Sequence, residues 1–97
     1  MKSQIYIHLS DDDVHYIVGK DYQTIKHILK TNVYCPHSDS HRVSGMNVKD
    51  IILNDINDIV FHGTCIKCGN KVARYIETGE NSEYVKRIEK LLTERKN

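Results

Sequence analysis

The chain has 97 residues, 39% of them hydrophobic and 28% charged, with one Phe and no Trp, which is the composition of one ordinary globular domain and not of a disordered chain. Apolar runs such as Ile51-Ile52-Leu53 and Ile59-Val60-Phe61 are three residues long, against the roughly 20 that cross a bilayer, so a transmembrane helix is excluded. Fourteen Lys and Arg against thirteen Asp and Glu leave +1, without the basic excess that phosphate-binding surfaces usually carry.

The chain reads as a single α+β domain over residues 1–97. Ile5, Ile7 and Leu9 alternate with Tyr6 and His8, which predicts a short strand from about Gln4 to Leu9. This start is not a secretory signal, and the compartment expected by default is the cytoplasm. Ser10-Asp11-Asp12-Asp13 has the form of a capping box, with Leu9 placed to staple onto Val14. Val14, Ile17, Val18, Tyr22, Ile25, Ile28 and Leu29 then share one helical face as far as Asn32. They predict one long helix, or two shorter ones broken near Gly19. The β-branched residues of Val14–Val18 also allow a returning hairpin strand, a reading the capping signals disfavour.

Residues 33–79 hold all three cysteines and the only proline. Cys65-Ile66-Lys67-Cys68-Gly69 sets two thiols three residues apart in a tight turn, a spacing at which both reach one tetrahedral zinc, and Gly69 lets the chain turn beneath it. Upstream, Cys35-Pro36-His37-Ser38-Asp39-Ser40-His41 stands where a second such knuckle belongs, with Ser38 at the position of its second cysteine. Arg42–Ile51 is expected to run out, Asn54–Asp58 to turn, Ile59–His62 to run back, and Val72–Ile76 to form a third strand. Val48, Ile51, Ile52, Ile56, Ile59 and Val60 also fit helical spacing, so a short helix is an alternative there. In the tail, Asn81 or Ser82 can cap a helix whose Tyr84, Val85, Ile88, Leu91 and Leu92 make an apolar stripe.

Over residues 33–79, on Cys35-Pro36 and Gly63-Thr64-Cys65-Ile66-Lys67-Cys68-Gly69, the chain resembles the zinc-ribbon fold group. The resemblance implies a three-stranded antiparallel sheet held by structural Zn²⁺, with Cys35, Cys65 and Cys68 matching three of four ligands. Three histidines compete for the fourth place: His41, able to fold back from the first strand, then His37, two residues from Cys35, then His62. A site without a fourth protein ligand, or a ribbon that has lost its metal, stays open beside these.

The function expected is that of a non-enzymatic zinc-binding protein presenting a surface to a protein or nucleic-acid partner. Lys67, Lys71, Arg74 and Tyr75 are a candidate basic and aromatic strip for nucleic acid. The alternatives are a thiol redox protein using Cys65 and Cys68 with Cys35 as resolving thiol, and a metal-free module dimerising through the stripe of the last helix. No Gly-framed serine, H-E-x-x-H or phosphate-cradling loop is present, and no membrane role is expected.

Overall fold

The computed structural model describes residues 7–36 and 43–95. Strand β1 (Ile7–His8) leads into helix α1 (Asp11–Val18), whose start is the capping box read from the sequence. Ser10 Oγ accepts from the Asp13 N–H at 3.1 Å and the Asp13 carboxylate accepts from the Ser10 N–H at 2.9 Å, so two otherwise unpaired donors are satisfied reciprocally. Of the predicted strand, Gln4 to Tyr6 lie outside the described residues.

The helical segment is two helices. Gly19 takes φ +55°, a left-handed conformation that a β-carbon disfavours, and a 3₁₀ turn over Gly19–Asp21 separates α1 from helix α2 (Tyr22–Thr31). The hairpin alternative for Val14–Val18 is thereby overturned. Val14, Ile17, Val18, Ile25 and Leu29 are buried as their shared face requires. Each such side chain contributes about 1.5–3 kcal/mol relative to exposure.

Strand β2 (Val33–Tyr34) pairs antiparallel with β3 (Val43–Ser44), and β4 (Met46–Leu53), β5 (Ile59–Cys65) and β6 (Lys71–Ile76) follow. The main sheet has the order β1-β4-β5-β6 with antiparallel pairing throughout. Four strands therefore stand where three were expected, because Ile7 and His8 pair with Leu53 and Ile52 at the edge of β4. The helical alternative for residues 48–60 fails for a specific reason. A bulge between Val48 and Asp50 inserts one extra residue, so Val48 pairs with Gly63 while Ile51 pairs with Phe61, two positions on the same side of β5. The three-residue spacing of Val48 and Ile51 imitates a helix, and the bulge produces it.

Leu53, Ile59, Phe61, Cys65 and Val72 face the helices in one core, while Asp50, His62, Ala73 and Tyr75 lie exposed on the opposite face. Asn54 Oδ1 accepts from the Ile56 and Asp58 N–H groups and shapes the β4–β5 turn. A 3₁₀ turn (Thr78–Glu80) then leads to helix α3 (Ser82–Arg95), capped by Asn81, whose Oδ1 accepts from the Glu83 and Tyr84 N–H groups. The stripe of α3 packs on the chain's own core, with Ile88 fully buried and Tyr84, Leu91 and Leu92 half-buried against it. Arg87 and Arg95 fasten α3 to the first elements, Arg87 Nη1 donating to the Ile17 carbonyl at 2.9 Å and Arg95 pairing with Asp13. Among the described residues no helix is long and apolar enough to cross a membrane.

Candidate metal centre

The site forms where two distant segments meet. Pairing of Val33 with Ser44 and of Tyr34 with Val43 sets the β2–β3 ribbon at the Gly45 junction that leads into β4, and β2 also lies close to β6. Met46, at the start of β4, pairs with Cys65 at the end of β5. The Ile66 N–H then donates to the Gly45 carbonyl at 3.1 Å and locks the turn after β5 onto the β3–β4 junction. Cys35, which follows β2 directly, is thus carried to the Cys65–Cys68 turn across thirty positions of sequence.

The turn itself is closed by two backbone hydrogen bonds. The Cys65 N–H donates to the Asn70 carbonyl at 2.8 Å, and the Gly69 N–H donates to the Cys65 carbonyl at 2.9 Å. Gly69 takes φ +76°, and a β-carbon there would meet nothing within 4 Å. The glycine requirement anticipated from Cys65-Ile66-Lys67-Cys68-Gly69 is therefore one of local backbone conformation, with no more distant part of the chain crowding the position.

The sulfurs of Cys35, Cys65 and Cys68 all lie within 4.8 Å of one another. Cys35 Sγ and Cys68 Sγ are 3.4 Å apart, far beyond the ~2.05 Å of a disulfide. A tetrahedral ion about 2.3 Å from each sulfur would separate them by about 3.8 Å, so the donors stand where one ion can be shared with little movement. Three thiolates are soft donors, suited to zinc, copper(I) or iron–sulfur chemistry and poorly suited to magnesium or calcium. Cys35 and Cys65 are buried at 0% and 2% exposure, and Cys68 is open to solvent. Asn70 Nδ2 donates to Cys68 Sγ at 3.3 Å.

His37 and His41, the first two candidates for a fourth ligand, lie outside the described residues, as do Ser38 and Asp39. His62 does not join the cluster. It points from the exposed face of β5, opposite Asp50 and Ala73, whereas Cys65 belongs to the buried face. The strip of Lys67, Lys71, Arg74 and Tyr75 is also divided. Lys71 and Tyr75 share the exposed face with His62, while Arg74 pairs with Phe61 on the side of the core and is half-buried. Asn70 and Gly45 were not singled out by the sequence. The signal for Asn70 was its place directly after Cys-Gly, whereas the part played by the Gly45 carbonyl depends on pairing between strands and left no mark in the spacing.

Comparison with protein-family models, curated proteins and solved structures finds no match to this chain. The site is read from its own donors.

Proposed function

We propose that this is a small non-enzymatic zinc-binding protein in which one structural zinc, held by Cys35, Cys65 and Cys68, joins the β2–β3 ribbon to the β5–β6 turn. The observation that carries the reading is the convergence of three sulfurs, from two segments of chain, to within 4.8 Å. A structural zinc is normally closed by four protein ligands, and His41 or His37 supplies the fourth, His41 ahead of His37. The zinc-ribbon resemblance over residues 33–79 belongs to this proposal, with β4, β5 and β6 as the three ribbon strands and β1 as an addition.

In this reading the metal serves the fold, and the fold serves a macromolecular partner, protein or nucleic acid. The exposed sheet face of Asp50, His62, Lys71 and Tyr75 is the surface we assign to it. Its balance of charge favours a protein over a phosphate backbone. The dimer through α3 is the lesser alternative, since that stripe is already spent on the chain's own core.

Elemental analysis and a thermal melt test the reading on the reduced natural chain and on Cys68→Ser, His37→Ala, His41→Ala and His62→Ala. One zinc per chain is expected, lost with a drop in melting temperature in Cys68→Ser and in one of the first two histidine variants, and kept in His62→Ala. A natural chain without metal, melting as Cys68→Ser does, would overturn it.

A further inference from the structure

We propose that Cys35 and Cys68 are a peroxide-sensitive pair, whose oxidation to a disulfide releases the metal and frees the β2–β3 ribbon from it. The inference rests on the zinc reading above and adds its regulation. Two observations carry it. The sulfurs of Cys35 and Cys68 are in contact at 3.4 Å, and Cys68 is the most exposed of the three cysteines, while Cys35 and Cys65 are buried. A hydroperoxide from solvent therefore meets Cys68 first, with the partner sulfur already beside it.

The chemistry balances with one molecule of hydrogen peroxide as oxidant. The Cys68 thiolate attacks the peroxide, breaking its O–O bond, and becomes a sulfenic acid while hydroxide leaves. The Cys35 thiolate then attacks the Cys68 sulfur, the S–S bond forms, and a second hydroxide leaves. Two thiolates have lost two electrons in all, the peroxide has gained them, and two protons from solvent turn the hydroxides into water. The ion has lost two thiolate ligands and dissociates.

Cys35 is the better resolving thiol than Cys65 on mechanical grounds. The Cys65 N–H and carbonyl are both bound inside the turn, to Asn70 and Gly69, so a Cys65–Cys68 disulfide must twist a closed ring of hydrogen bonds. Cys35 follows a two-residue strand and approaches from outside that ring. The disulfide expected here is thus Cys35–Cys68, and not the Cys65–Cys68 pair that spacing in the sequence suggests.

The test uses the full natural chain, reduced and loaded with zinc, whose metal content is measured first. It is then treated with an equimolar amount of hydrogen peroxide in the presence of a chromogenic zinc chelator, alkylated, and mapped by peptide mass spectrometry. The result expected is release of about one equivalent of zinc together with a Cys35–Cys68 cross-linked peptide, both reversed by dithiothreitol and added zinc. Retention of zinc, or a dominant Cys65–Cys68 disulfide in a chain that carried zinc at the start, would overturn this proposal and leave the zinc reading standing. A chain that takes up no zinc would overturn both.

Discussion

Asn70 Nδ2 donates to the sulfur of Cys68 at 3.3 Å, from a residue whose own carbonyl closes the turn by accepting from Cys65. A donor to a ligating sulfur orients it and balances its charge, and loss of such a partner commonly costs 10–100-fold in metal affinity. Asn70→Ala removes the side-chain donor and keeps the backbone acceptor. It is expected to weaken zinc binding about tenfold, the lower end because the bond is exposed, in a competition titration against a chelator of known affinity. An unchanged affinity would show that the Asn70 amide has no part in the site.

Gly69 is predicted to resist substitution for a reason of conformation alone. At φ +76° an L side chain costs about 1–2 kcal/mol, with no further clash to add, since beyond the adjacent residues no atom lies within 4 Å of the place a β-carbon would take. Gly69→Ala is expected to lower stability to denaturant by about that amount, and Gly69→Asn by less, because asparagine tolerates the left-handed region. Equal losses for the two variants would contradict this account.

Thr78 is fully buried at the far end of the sheet, where its Oγ1 donates to the Asn57 carbonyl at 2.6 Å and accepts from the Ile59 N–H at 3.1 Å. Thr78→Val keeps the shape and leaves both backbone groups without that partner. The expected loss is about 1–3 kcal/mol by denaturant titration. Zinc content should stay that of the natural chain, because the hydrogen bonds of Thr78 go to Asn57 and Ile59, at the opposite end of β5 from Cys65.

The Tyr84 hydroxyl donates to the Asp21 carboxylate, joining α3 to the turn between α1 and α2. This bond, aided by burial and by the negative charge of Asp21, raises the Tyr84 pKa above the usual tyrosine value of about 10. The protonated form is favoured in the folded chain. The contribution to stability is therefore fully present below about pH 10 and declines as pH rises from there through the raised folded value. Tyr84→Phe should flatten this alkaline decline in a melt series and remove one late-titrating tyrosine from the ultraviolet titration. A decline of the same steepness in the variant would assign it to other groups.

The parts of this protein that depend on near neighbours in the chain were legible in its sequence. Ser10 and Asp13 are three residues apart and make their capping box locally, Gly19 breaks the helical segment where its missing β-carbon permits, and Asn81 caps α3 through N–H groups two and three residues on. The Cys65–Cys68 turn belongs with these, since its hydrogen bonds close within six residues. Pairing between strands is a different matter, because its register is fixed by contacts that spacing along the chain does not encode. The bulge at Val48–Asp50 gave the strand expected there part of a helix's spacing, and the docking of Ile7–His8 on β4 adds a fourth strand from outside residues 33–79. Alternation along a strand separates Arg74 from Lys71 and Tyr75 in the sequence already, but tertiary structure alone decided that Cys35 lies against Cys68 and that Arg74 takes the core side while His62, Lys71 and Tyr75 take the open one, because each depends on which side of the sheet is covered once its neighbours are in place.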